Sequence, residues 1–65
     1  MKIRYFEDTD TLYIEFRDRE IVDTKDLDEN TTLDLDVDGN VLAITFEQAS
    51  TRTDVRKLTV EGIAA

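Results

Sequence analysis

The sequence predicts a small α+β domain that is mostly antiparallel β, a meander of two clear hairpins with a short helix and a C-terminal strand. Two stretches alternate apolar and polar residues with the period of a half-buried strand, and turn-forming residues interrupt each of them once. Between the second stretch and the C-terminus, residues 47–53 are instead rich in helix formers. A chain of 65 residues has room for one hydrophobic core, so we expect a single small domain over residues 1–65.

The first hairpin is predicted within residues 2–17. Apolar residues alternate on both sides of an acidic Glu-Asp-Thr-Asp segment. With that segment as the loop, Tyr5 faces Leu12 and Ile3 faces Ile14, which puts like residues opposite one another. The register is self-consistent, and it leaves the intervening residues on the other face of the hairpin.

A third, shorter strand is predicted near residues 20–24, where a turn at Asp18 and Arg19 would return the chain along the first hairpin. Residues 23–30 are rich in carboxylates and contain one large apolar side chain, Leu27. We therefore expect most of that stretch to be an exposed loop.

The second hairpin is the clearest element of the sequence. Leu33, Leu35 and Val37 alternate with Asp34, Asp36 and Asp38 before Gly39 and Asn40, and the apolar alternation then resumes at Leu42, Ile44 and Phe46. A two-residue turn at Asp38 and Gly39 pairs Leu35 with Leu42 and Leu33 with Ile44. It leaves the aspartates on the solvent face. A turn shifted to Gly39 and Asn40 keeps the same face inside, whereas a three-residue loop would set Leu35 against Ala43.

The C-terminal part allows two interpretations. After the short helix near residues 47–53, residues 57–61 alternate again, which favours a terminal strand. The alternative is a continued helix in which Val55 and Leu58 pack one turn apart.

Composition excludes several classes of function. The chain has no cysteine and no histidine, which removes disulfides, thiolate or imidazole metal sites, cysteine nucleophiles and histidine bases. We expect no cofactor and no enzymatic activity. No apolar run approaches the length of a membrane span, so a soluble, cytoplasmic protein is expected. The formal net charge of −8 repels phosphates, which argues against nucleic-acid and membrane partners.

The aspartates before the second turn resemble half of a calcium-binding loop. Asp34, Asp36 and Asp38 precede a glycine with the spacing of an EF-hand, but the last ligand position, normally a glutamate, falls on Thr45. Strand alternation explains the same residues. Weak calcium binding through these three aspartates is kept as an alternative.

Several short motifs occur together: Ile3-Arg4-Tyr5, Asp10-Thr11-Leu12-Tyr13-Ile14, Thr32-Leu33-Asp34-Leu35-Asp36, Asp38-Gly39-Asn40-Val41, and the segment from Ile44 to Ser50. In combination they resemble the domain-of-unknown-function family 2283 over about residues 1–50. Phe6 departs from the pattern, since the family usually has aspartate there. The resemblance implies a compact, mainly β prokaryotic or phage domain with a short helix and no established activity. It also implies an antitoxin-like role, because members are sometimes encoded beside small toxin-like proteins.

The leading functional hypothesis is a non-enzymatic interaction module that forms a homodimer. A core of this size rarely supplies more than roughly 3–5 kcal/mol of folding free energy. Without disulfides or metals, association with a second copy is the remaining way to stabilise the fold. Phe6 and Tyr13, on the second face of the first hairpin, are the interface candidates. As an alternative, the acidic surface binds a basic, toxin-type protein; otherwise the charge serves only solubility.

Overall fold

The computed structural model describes residues 1–62, and these are nearly all β. Five antiparallel strands form one sheet in the order β1-β2-β5-β4-β3. The strands are β1 (Lys2–Phe6), β2 (Thr11–Glu15), β3 (Asp23–Asp28), β4 (Thr31–Leu35) and β5 (Val41–Phe46). One 3-10 turn, Ala49–Thr51, follows β5, and the described residues contain no α-helix. The predicted α+β class is therefore wrong, and the chain is an all-β sheet over this range.

The first hairpin has the predicted register. Tyr5 lies opposite Leu12 and Ile3 lies opposite Ile14, as the alternation indicated. The other edge of β2 pairs with β5, where Ile14 lies opposite Ile44. Residues opposite one another in a ladder share a face, so these apolar pairs all lie on the same side of the sheet.

The third strand is not where the sequence placed it. β3 comprises Asp23–Asp28, within the predicted loop, and it pairs with β4 at the far edge of the sheet. The chain reaches that edge past the ends of β5 and β4, where the Val22 N–H donates to the Leu35 carbonyl at 2.9 Å. All six residues of β3 are exposed. Their polarity suits an edge strand, because charged edges resist pairing with other chains. The apolar β5 lies in the centre of the sheet, beside β2.

The second hairpin keeps the predicted pairing of Leu33 with Ile44 but not the predicted turn. The loop has three residues, 37–39, because the Asp36 N–H donates to the Asn40 carbonyl at 3.0 Å. Asp34 pairs with Ala43 and Leu35 with Val41, so a bulge skips Leu42. The extra residue in β5 compensates for the extra loop residue, and the apolar face is preserved despite the longer turn.

Replacing Gly39 by valine should destabilise the domain by about 1–2 kcal/mol. Gly39 has a φ of 82°, in the left-handed region that β-branched residues avoid. A Cβ there would meet no heavy atom within 4 Å, so the cost comes from the backbone alone. Gly39→Asn should be milder, because asparagine tolerates this region. Chemical denaturation measures both, and a valine variant within about 0.5 kcal/mol of the parent would contradict the prediction.

The helix predicted near residues 47–53 is reduced to the turn Ala49–Thr51. Gln48, just before it, adopts left-handed dihedral angles, φ 52° and ψ 44°. The Ala49 N–H then donates to the Asp10 carbonyl at 2.9 Å. The backbone of this segment is therefore fixed by the β1–β2 turn, and a helix this short has little stability of its own to compete with that contact.

Residues 57–61 form neither the predicted strand nor the continued helix. We call residues 53–62 the tail. A strand requires the free backbone groups of a neighbouring edge. Val55 and Leu58 of the tail instead border a groove over one face of the sheet, beside Ile3 and Leu12. In residues 1–62, no helix has the length and apolar character needed to cross a membrane.

Candidate functional site

One face of the sheet is apolar across four strands. Its central row runs from Ile3 through Ile14 and Ile44 to Leu33, each opposite the next. We call this the apolar face, and its members are Ile3, Leu12, Ile14, Leu33, Ile44 and Phe46. The pattern follows from strand alternation, which sends every second side chain of β1, β2, β4 and β5 to the same side.

The apolar face is only partly covered. The fully buried apolar residues that the structure describes are Leu35, Leu42, Ala43 and Ala49. Leu35 and Leu42 continue the apolar face next to the second turn, whereas the six members named above are not fully buried. Ile3 is 38% exposed to solvent. At the β1–β2 end, the tail residues Val55 and Leu58 border an open groove of about 300 Å³ over Ile3 and Phe46. Residues 1–62 therefore leave part of this face open to solvent, and Ile3 is the most exposed of the six members.

The interface candidates Phe6 and Tyr13 lie on the opposite, polar face. Tyr13 stands in a row with Arg4 and Thr45, and its hydroxyl donates to Glu15 Oε2 at 3.3 Å. Burial and the neighbouring Glu15 carboxylate raise the pKa of Tyr13. Phe6, at the edge, is 45% exposed. Their surroundings are polar, and their contact with a partner stays a prediction.

The three aspartates of the calcium alternative do not converge. Asp34 Oδ1 accepts a hydrogen bond from the Thr24 hydroxyl on β3 at 3.2 Å. Asp38 is exposed in the turn, and Asp36 is buried. Within residues 1–62, no group of three acidic, cysteine or histidine side chains comes together in a way that could hold a metal ion.

Asp36 is a structural residue of the second turn. It is 7% exposed, although strand alternation predicted a solvent-facing side chain. Its Oδ1 accepts from the Asp38 and Asn40 N–H groups, both at 2.9 Å, and Oδ2 accepts from Asn40 Nδ2 at 3.3 Å. These bonds, led by that from the Asn40 backbone, lower the pKa of Asp36. Aspartates that bond to the backbone two residues on are typical of turns, and this was the available sequence signal.

Asp10 forms a junction between the first turn and the 3-10 turn, which the sequence analysis missed. Its carboxylate accepts from the Tyr5 hydroxyl at 2.5 Å, and from the Ser50 N–H and hydroxyl at 3.0 and 2.7 Å. The bond from Tyr5, followed by that from Ser50, lowers the pKa of Asp10. The same bond to Asp10 raises the pKa of Tyr5.

The Asp10 junction holds chain segments together and has no feature of a nucleophilic site. Ser50 donates its proton directly to a carboxylate whose pKa is lowered, so Asp10 is a poor general base. Asp10 itself has a φ of 51°, a strained value that its four contacts with Tyr5, Ala49 and Ser50 maintain. Tyr5, Asp10 and Ser50 all belong to the motifs that carry the family resemblance.

Arg52, directly after the 3-10 turn, connects that turn to the sheet. Its guanidinium lies 5.2 Å from the centroid of the Phe46 ring, and Nη1 donates to the Thr31 hydroxyl at 2.8 Å. Nη2 forms an ion pair with Asp28 at 3.3 Å. Arg52 thus covers one end of the apolar face, and the rest of the face depends on the tail or on another molecule.

Comparison with known proteins identifies a family for this chain. A family model described as a protein of unknown function, DUF2283, matches residues 2–50. No curated protein and no solved structure matches the chain. The matched range includes all five strands and ends at Ser50 of the Asp10 junction, so the tail lies outside it.

Proposed function

The chain belongs to the DUF2283 family, and on that premise we propose that it is a non-enzymatic domain that associates with a second copy of itself. The apolar face of each copy packs against that of the other. The observation that carries the proposal is the single sheet, whose apolar face is incompletely buried within residues 1–62.

The layer count supports a second copy. Domains are normally built from two packed layers, because a sheet with one apolar face must bury that face against another element. The described part of the chain supplies one sheet, and only a short tail lies on its apolar face. Two copies meeting face to face would form the missing layer, with the sheets about 10 Å apart as in β-sandwiches.

The dimensions of the sheet are sufficient for a stable interface. The chain is a flat slab with extents of 37 × 33 × 17 Å. A specific interface of standard size buries about 800 Å² on each partner. The broad side of this slab can offer an area of that order, whereas its narrow edges cannot.

The distribution of charge also favours this face. Each copy carries a formal net charge of −8, so two copies repel one another through most of their surfaces. On the three central strands, the carboxylates are those of Glu15 and Asp34, and both lie on the polar face. The three central strands therefore place no carboxylate on the apolar face, which favours close approach of two copies there.

Sedimentation of the full chain at different salt concentrations tests the proposal. Between about 0.01 and 1 M NaCl the Debye length falls from about 30 to about 3 Å, so repulsion between the copies is screened and the dimer should become tighter. The unfolding temperature should also rise with protein concentration. A monodisperse species of 7.5 kDa at all salt concentrations, with a concentration-independent unfolding temperature, would refute self-association.

The direction of the salt effect separates two kinds of association. Binding to a basic partner, the alternative that the acidic composition suggests, would weaken as salt screens opposite charges. Association between identical acidic chains through an apolar face strengthens instead.

A further inference from the structure

The tail has the sequence of a strand but no partner strand. Residues 57–61 alternate polar and apolar side chains, yet the structure places them in no ladder. They also lie outside residues 2–50, which match the family model. The apolar residues of the tail therefore have no position in the sheet, which lies within the matched range.

Two of these apolar residues are largely uncovered. Leu58 is 68% exposed and Val60 is 81% exposed. In an extended segment, residues two apart point to the same side, so Leu58 and Val60 can form one apolar strip. Leu58 also borders the groove above Ile3 and Phe46, which makes the strip continuous with the apolar face.

We propose that the tail is part of the self-association surface, with Leu58 and Val60 of each copy packed against the apolar face of the other copy. This inference rests on the proposed self-association. In a two-fold dimer the same patch serves on both sides, so a tail that adjoins the apolar face of its own chain also reaches the contact with the partner. The open groove beside Leu58 gives the partner's apolar side chains a place to enter.

Charge substitutions in the full chain test this inference. Leu58→Asp and Val60→Asp should each weaken the dimer at least about tenfold, because a buried carboxylate loses its hydration in the interface. Thr59→Asp is the matched control. It adds the same charge to the same segment but on the alternate side, and it should change the dissociation constant by less than about threefold. Sedimentation at fixed salt gives the three constants.

The outcomes distinguish this inference from the proposed function. If the parent dimerises and both Leu58→Asp and Val60→Asp leave its dissociation constant within about threefold, the tail is outside the interface while self-association stands. If Thr59→Asp weakens the dimer as much as the other two, charge alone accounts for the effect and the apolar contact is refuted. A parent that is monomeric throughout refutes both proposals. Circular dichroism of the dilute variants should match the parent, since the substituted side chains are exposed in the single chain.

Discussion

Replacement of Ile3 by aspartate should weaken the association of two copies by at least about a hundredfold, since a carboxylate would be buried without a partner. Ile3 lies at the β1 end of the central row of the apolar face, opposite Ile14. A two-fold dimer contains the substitution twice, so the free-energy cost of burying the carboxylate enters twice. Because β1 is an edge strand and Ile3 is 38% exposed, the folded single chain should tolerate the change. Sedimentation equilibrium measures the dissociation constant.

Phe6→Asp is the matched control for this experiment. Phe6 lies on the same strand, is 45% exposed and would acquire the same charge, but it belongs to the polar face. We expect a change of less than about threefold, as for a charge outside the contact. If Phe6→Asp dissociates the dimer and Ile3→Asp does not, the interface includes Phe6 and Tyr13 on the polar face, and the apolar face is not the contact.

Local pairing in this fold could be predicted from the sequence. The β1–β2 hairpin joins strands close in the chain, and alternation allows one register that puts Ile3 opposite Ile14. The pairing of Leu33 with Ile44 was predictable for the same reason. The loop between them was not, because a bulge at Leu42 lets a three-residue loop keep the same faces.

Long-range arrangement could not be predicted in the same way. Nothing in the local pattern indicates that β5 pairs with β2, or that the polar residues of β3 form an edge strand. The helix expected near residues 47–53 had suitable residues, but hydrogen bonds from Ala49 and Ser50 to Asp10 determine that segment. Such contacts join residues about forty positions apart in sequence, and propensity contains no information about them.

The candidate site was predicted in part. The sequence indicated which residues share the apolar face, because alternation assigns each side chain to one face of the sheet. Alternation does not tell whether a second layer of structure covers that face. Phe6 and Tyr13 lie off the core that alternation predicts, and in the structure Tyr13 stands between Arg4 and Thr45 on the polar face. The Asp10 junction was not predicted, because Tyr5 fits an ordinary strand position and Ser50 fits an ordinary turn position.

Substitution of Asp36 by alanine should lower the unfolding temperature by on the order of 10 °C, a larger loss than for Gly39→Val. The change leaves the Asp38 and Asn40 N–H groups and the Asn40 side chain without their shared acceptor. Asp38→Ala, in the same loop but exposed, removes a carboxylate and keeps all three hydrogen bonds to the Asp36 side chain, so it should cost no more than about 2 °C. Equal losses for the two variants would contradict the assignment of Asp36 as the acceptor that holds the turn. Added calcium distinguishes this role of Asp36 from the calcium-binding alternative. A calcium-binding loop would be stabilised by calcium in the parent and not in Asp36→Ala.

The dependence on pH gives this prediction a second readout. Hydrogen bonds to the ionised carboxylate lower the pKa of Asp36 below its ordinary value of about 3.9. A group with a lowered folded pKa contributes stability above its unfolded pKa, and that contribution is lost as the pH falls through the folded pKa. The difference in unfolding temperature between the parent and Asp36→Ala should therefore be constant above about pH 5 and shrink progressively below about pH 4. The pKa values of Asp10 and Asp28 are lowered as well, so both proteins lose stability in acid, and only the difference reports on Asp36. A difference that stays constant down to about pH 2 would show that the loss in Asp36→Ala does not come from the ionised carboxylate.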